Sequence, residues 1–450
     1  MPRRENFLRM KLAAFIRDAE VGELLHGAAV AFSLKVLGVF AAFGFYILLC
    51  RNLGAGEAGL FFLAVSLVEV LAMACRLGLD QSAIALIGKH AGQQEWPQVK
   101  GIFQASSRVV VLASLPAAAG LALAAPFLAS AVFKDSRLVD PLRIAAAAIL
   151  PLALYNLFGE SLKGLRRMAE SQFVTTCAHQ ALLLLGILLL ARRLDIPGVS
   201  WLYGGAAALA ASLGYALWRR ATPQLAAVQG TFSRSALRAV SLPLFWVNLL
   251  SLINAKVGIF SLGHYGTTAD VAVLNAALRI TLLTNIAILA VNAISAPKFA
   301  ALHGSGDRPG LVRVCGSATA LLVAACLPLL LAMLCLPDSL MGLFGRDFAG
   351  HGSILVILAL GQGVNIAAGP MGVLLSMAGR ERCLRNIFYA TTPVHLLAQV
   401  LLTPAFGTAG AAWAITSNIV LVNLAAAYAV RKQFGFIALF ATSRLFAKAP

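Results

Sequence analysis

Twelve long apolar stretches run through this chain, and the second six echo the first six roughly 212 positions later. A lipid-crossing helix needs about 20 predominantly apolar residues. The spacing predicts spans over residues 28–50, 58–88, 103–133, 141–163, 173–192, 199–218, 240–262, 269–301, 312–336, 350–377, 384–403 and 408–431. The echo rests on ordered anchors. Leu53-Gly54 matches Leu262-Gly263, Pro126 matches Pro337, and Val132-Phe133 matches Leu343-Phe344. Gly159 and Arg167 match Gly372 and Arg380, and Gly198 and Trp201 match Gly410 and Trp413. Halves with six spans each keep the same topology, so the expected pseudo-two-fold axis lies along the membrane normal. The expected fold is all-α, a polytopic membrane protein of two six-helix bundles.

Charge is scarce, at 12% of residues, which leaves no room for a large water-soluble domain. A net charge of +18 suggests nucleic acid in a soluble protein. Here the bases sit in short loops on alternating sides, so no nucleic-acid partner is expected. With the N-terminus in the cytoplasm, cytoplasmic segments hold 25 Lys and Arg and the opposite side seven. That asymmetry orients the chain with both ends inside. The expected organisation is a tail over 1–27, a first lobe over 28–218, a linker over 219–239, a second lobe over 240–431 and a tail over 432–450. Residues Asn6–Leu25 and Phe434–Phe446 read as interfacial segments lying on the membrane, a frayed tail being the alternative for the first. No cleavable signal is apparent. The seven cysteines form no C-x-x-C pair and read as small core residues.

The stretch Arg51-Asn-Leu-Gly-Ala-Gly-Glu-Ala-Gly-Leu-Phe, continuing to Leu77-Gly-Leu-Asp-Gln, resembles the opening of bacterial polysaccharide-biosynthesis flippases. These belong to the multidrug/oligosaccharidyl-lipid/polysaccharide (MOP) exporter superfamily. Leu262-Gly-His-Tyr-Gly, Val271-Ala-Val-Leu-Asn-Ala-Ala-Leu-Arg and Gly164-Leu-Arg-Arg-Met add to the likeness, which covers essentially the whole chain. The resemblance implies a lobe-to-lobe cavity carrying undecaprenyl-diphosphate-linked oligosaccharide from the cytoplasmic to the periplasmic leaflet of the bacterial inner membrane. It implies alternating access, a role in O-antigen or exopolysaccharide assembly, and polymerase and chain-length machinery as partners. Where relatives often carry an acid before a base in the seventh span, this chain has Ala255 before Lys256.

Charges inside spans are the candidate site, because each costs about 2.5–3.5 kcal/mol at a helix centre on insertion scales. Lys35, Arg76, Lys256 and Arg279 are expected to bind the diphosphate, Arg as a fork and Lys as a point charge. Glu69, Asp80 and Glu160 could bind a coupling proton or sodium ion. The plainer readings are that Arg76 and Asp80 pair at i, i+4, that Lys163 pairs with Glu160, and that Arg279 snorkels to headgroups. Asn248, Asn254, Asn275, Asn285 and Asn292 could bond sugars or glue helices together. The glycines of Gly54-x-Gly-x-x-Gly59 read as a tight turn and not as a dinucleotide loop, because they follow a membrane span. His90-x4-Glu95 reads as ordinary loop, and His179 and His395 as packed side chains. No cofactor is expected, and no P-loop supplies ATP-driven transport. The alternatives are a drug or cation exporter, a lipid II flippase, and a membrane glycosyltransferase or polymerase.

Overall fold

The computed structural model describes residues 19–190, 195–232 and 234–436. Among the described residues the regular elements are all helical. The first half begins with α1 (Ala19–Arg76), α2 (Leu79–Gly92) and α3 (Trp96–Phe127), the last prolonged by a π segment over Leu128–Val132. It continues through α4 (Val139–Ala146), α5 (Ile149–Gly164), α6 (Met168–Gln172), α7 (His179–Leu190) and α8 (Ile196–Ala221). The second half holds α9 (Arg234–Tyr265), α10 (Thr268–Leu282), α11 (Thr284–Gly304) and α12 (Arg308–Cys335). It ends with α13 (Pro337–Gly342), α14 (Gly352–Ala368), α15 (Met371–Met377) and α16 (Glu381–Phe434).

Among the described residues, seven helical runs are long and apolar enough to cross a membrane, or nine if two bent pairs each count as one span. The protein is therefore an all-helical, multi-pass membrane protein. Exposed leucines recur at helical spacing on the outer faces, for example Leu327 and Leu331 on α12 and Leu397 and Leu401 on α16. Such continuous apolar faces suit lipid, which asks only that backbone polar groups be bonded within the helix.

Capping chemistry places the helix starts. The Asp195 carboxylate accepts from Gly198 N at 2.8 Å, and Asp307 does the same for Gly310 N at 2.9 Å, each with a proline in the first turn. Thr267 and Asp270 form a reciprocal capping box at the start of α10.

The observed helices depart from the expected spans in several places, and the spans expected over 141–163, 269–301 and 350–377 are each divided into two helices. The expected span 58–88 is broken at Leu77 and Gly78, whose φ angles are 49° and 74°. A Cβ on Gly78 would overlap the Ser241 carbonyl of α9, so the break is where the two backbones meet. The expected Gly54–Gly59 turn is much smaller than a loop. Gly54 alone leaves helical geometry (φ 77°, ψ 173°), and α1 continues through Gly56 and Gly59. The expected spans 384–403 and 408–431 are one helical run, interrupted only at Gly407 (φ 57°, ψ −133°). Most of the Asn6–Leu25 and Phe434–Phe446 segments lies outside the described residues.

Within the first half, α5 packs against α2, α3 and α8. Within the second, α14 packs against α12 and α16, and α9 against α16. The halves meet where α1 and α2 lie against α9 and α10.

Candidate inter-lobe site

The four intramembrane bases and three acids all lie on helices at or behind this junction. Lys35, Glu69 and Arg76 are on α1, Asp80 on α2 and Glu160 on α5, while Lys256 is on α9 and Arg279 on α10. They sort into two cavities. The first, of about 330 Å³, is walled by Val39 and Phe43 of α1 and by Leu282, Ile286 and Leu289 opposite. Among the described residues, Lys35 and Arg279 are its only charged lining residues. The second, of about 520 Å³, has Glu69, Arg76, Asp80, Glu160, Tyr155 and Tyr203 on one wall and Asn248, Leu252 and Ala255 of α9 on the other.

Most of the charges are paired. Arg76 Nε donates to Asp80 Oδ2 at 3.0 Å, and Lys163 Nζ to Glu160 Oε2 at 3.1 Å. These are the two local pairings that i, i+4 and i, i+3 spacing allows. The third pairing crosses the junction: Lys256 Nζ lies 2.6 Å from Glu69 Oε2, and the Tyr203 hydroxyl donates to Glu69 Oε1 at 3.2 Å. Arg279 does not snorkel outward. Its guanidinium lies over the buried Tyr46 ring, 3.7 Å from the centroid, and its Nε donates to Asn275 Oδ1 at 3.4 Å. That stacking is a cation–π contact between lobes, strengthened by its desolvated surroundings. Lys35 makes no ion pair among the described residues and lies within electrostatic reach of Glu160 and Lys163.

The four bases therefore do not converge on one point. Lys35 and Arg279 share a cavity, Arg76 lines the other, and Lys256 sits at the seam. Sequence spacing missed the Glu69–Lys256 pair and the three tyrosines. Nothing local to either half signals a partner in the other.

Several polar residues act as structural glue. Asn254 Nδ2 donates to Thr392 Oγ1 at 2.6 Å, and its Oδ1 meets His395 Nδ1 at 2.9 Å. His179 stacks on Tyr155 with centroids 5.3 Å apart and meets the edge of Tyr203 at 4.9 Å. His90 bonds Glu95 in the loop after α2.

The end of the junction remote from the basic loops is shut. Arg51 Nε donates to the Leu343 carbonyl at 2.8 Å, and Ala55 N to Asp347 Oδ2 at 3.1 Å. His264 Nδ1 donates to the Val132 carbonyl at 2.6 Å. Gly59 lies so close to Thr268 that a Cβ would overlap its carbonyl. Both cavities lie in the half of the junction nearer the basic loops.

These features match known proteins over nearly the full length. A family model described as "Polysaccharide biosynthesis protein" matches residues 24–303, more than half of the chain. No curated protein sequence matches it. An inward-facing multidrug resistance MATE transporter of the MOP superfamily superposes with a TM-score of 0.70 at 16% identity, covering 92% of this chain and 99% of that one. The lipid II flippase MurJ, in an inward closed conformation, superposes at 0.71 and 15% identity, over 94% and 92%. A MOP superfamily transporter from Pyrococcus furiosus, described as having a binding pocket of reverse polarity, reaches 0.62 at 16% identity, over 92% and 94%. The chain thus has the fold of the MOP superfamily structures and belongs to the polysaccharide biosynthesis protein family.

Proposed function

We propose that the protein flips an undecaprenyl-diphosphate-linked oligosaccharide from the cytoplasmic to the periplasmic leaflet of a bacterial inner membrane, supplying surface polysaccharide assembly. The observation that carries this reading is the first cavity. An apolar chamber between α1, α10 and α11 holds two cations, one from each lobe, and no acid. That chemistry suits an amphiphile with an anionic head. The Arg279 fork and the Lys35 point charge both suit phosphate oxygens. Lys256 and Arg76 stay in their pairs with Glu69 and Asp80 and stand outside this first set of contacts. The likeness in fold to MurJ, a lipid II flippase, supports the fold's compatibility with a lipid-linked cargo.

In this reading the chain makes twelve passes. The breaks at Gly54 and Gly407 each divide one long helix into two passes, and α9 adds another to the nine. Both termini face the cytoplasm, and the two lobes rock against each other. The basic-loop end is then cytoplasmic, so closure of the remote end describes an inward-directed state. A proton or sodium gradient supplies the drive through one of Glu69, Asp80 or Glu160. Polymerase and chain-length proteins would take the product. The three acids around the second cavity favour a second reading, an exporter of cationic compounds.

Deletion of the gene in its own host tests the first reading. Lipid-linked repeat units should accumulate on the cytoplasmic face, and plasmid-borne wild type should clear them. Lys35→Ala and Arg279→Ala, expressed at wild-type level, should clear them at least about tenfold more slowly if each charge supplies one phosphate contact of about 1.5–3 kcal/mol. Normal surface glycan without accumulation, in a strain lacking any redundant flippase, would refute the proposal.

A further inference from the structure

The second cavity is larger than the first, lies between the lobes, and is far more polar. We infer that it is the compartment for the glycan, and that it admits uncharged or amino sugars while rejecting acidic ones. The inference rests on the flippase reading above and specifies the cargo within it.

Position supports the assignment. Lys35 of the first cavity lies within electrostatic reach of Glu160 of the second, and Arg279 within reach of Glu69. The charged groups of the two cavities therefore lie near one another, on helices that pack together. A diphosphate between Lys35 and Arg279 would then sit beside the second chamber, within reach of the sugars attached to it.

Chemistry sets the class. A sugar hydroxyl both donates and accepts, so its site needs both kinds of partner. Three carboxylates accept here, while Arg76 and the Asn156 and Asn248 amides can donate. The balance between fixed charges then selects among sugars. Each base near this wall is already held by an acid: Arg76 by Asp80, Lys163 by Glu160, and Lys256 by Glu69. With Lys35 and Arg279 taken up by the diphosphate, no base among the described residues is left over to neutralise a carboxylate on the glycan. The carboxylates keep lone pairs in reserve, since each can accept about four hydrogen bonds. Hydroxyls and ammonium groups find acceptors. A uronic acid finds like charges, and like-charge juxtaposition costs several kcal/mol.

Arg76 takes a different part from Lys35 and Arg279 in this arrangement. Its Nε is spent on Asp80, and its remaining N–H groups face sugar oxygens.

The test uses the full-length protein in proteoliposomes with two synthetic probes, each a polyprenyl-diphosphate-linked disaccharide. One probe carries two neutral hexoses, and the other ends in a hexuronic acid. Transbilayer movement is read by access of an external glycosidase. The neutral probe should move roughly tenfold faster or more. Glu160→Gln and Asp80→Asn should narrow that ratio by admitting the uronate probe, while Lys35→Ala should slow both probes alike. Equal movement of the two probes through the wild-type protein would overturn the inference and leave the flippase reading standing. Movement of neither probe would overturn both. Should the acid-to-amide variants fail to fold, the wild-type ratio alone decides.

Discussion

Lys256 of α9 and Glu69 of α1 meet across the boundary between the two halves, with their charged atoms 2.6 Å apart. Neither side chain is widely exposed, at 14% and 30%, and Tyr203 holds the second oxygen of Glu69. Removing one partner of a fully buried pair costs about 3–5 kcal/mol, because a charge is left uncompensated. This pair borders an open cavity and should cost less, about 1–2 kcal/mol. Glu69→Gln and Lys256→Gln should each lower the unfolding temperature in detergent and loosen the contact between lobes. The double exchange Glu69→Lys with Lys256→Glu should restore stability. It should not restore transport, because the cation then sits on the wrong lobe. Recovery of transport by the exchange would show that the pair is only a clasp.

The end remote from the basic loops closes through bare backbone. Gly59 sits inside a helix, where alanine is favoured over glycine by about 1 kcal/mol. A Cβ there would nonetheless overlap the Thr268 carbonyl of α10. Gly56, three residues earlier, has open space where its Cβ would go. Gly56→Ala should therefore be neutral or slightly stabilising. Gly59→Ala should wedge α1 from α10 and expose this end to a membrane-impermeant thiol reagent at an introduced Val271→Cys, a fully buried position on α10. Equal labelling of Val271→Cys with and without Gly59→Ala would refute the wedge.

The legible part of this fold was whatever the chain writes locally. Apolar runs, the basic loop asymmetry and the i, i+4 pair of Arg76 and Asp80 all depend on neighbours in sequence. Helix breaks were less legible, because Leu77 and Gly78 leave helical geometry where α1 meets the α9 backbone at Ser241. The two cavities were not legible at all. Lys35 and Arg279 stand 244 positions apart in the chain, and nothing around Arg279 announces the Tyr46 ring beneath it.

Asp270 ties two segments together at the start of α10. Its Oδ2 accepts from Thr267 N at 2.8 Å and from Thr267 Oγ1 at 2.7 Å, and its Oδ1 accepts from Thr408 Oγ1 at 2.7 Å. Thr408 follows the Gly407 break, so the carboxylate joins the α10 cap to the bend in α16. A lost cap costs about 0.5–2 kcal/mol. Asp270→Ala should fall at the upper end of that range, and Thr408→Val should cost about 1 kcal/mol. In the pair of variants combined, the Thr408 change should add little, since its partner is already gone. Full additivity in thermal unfolding would show that the two residues act independently.

The linker between the halves is strapped to the first half. Lys100 of α3 donates to the Leu225 and Val228 carbonyls, both at 2.8 Å, and Thr231 N donates to the Pro97 carbonyl at 2.9 Å. Gly101 lies against Thr231 so closely that a Cβ would overlap its carbonyl. Residues 223–231 are thus held against α3. A hydrogen bond from a charged donor contributes about 1.5–3 kcal/mol. Lys100→Met keeps the aliphatic stem and removes the donor, so the strap should lift locally without unfolding α3. Trypsin should then cut after Arg219, Arg220 or Arg234 several times faster in the native protein, with the unfolding temperature nearly unchanged. Unaltered cleavage in Lys100→Met would mean that the strap is held by Thr231 and the Gly101 contact alone.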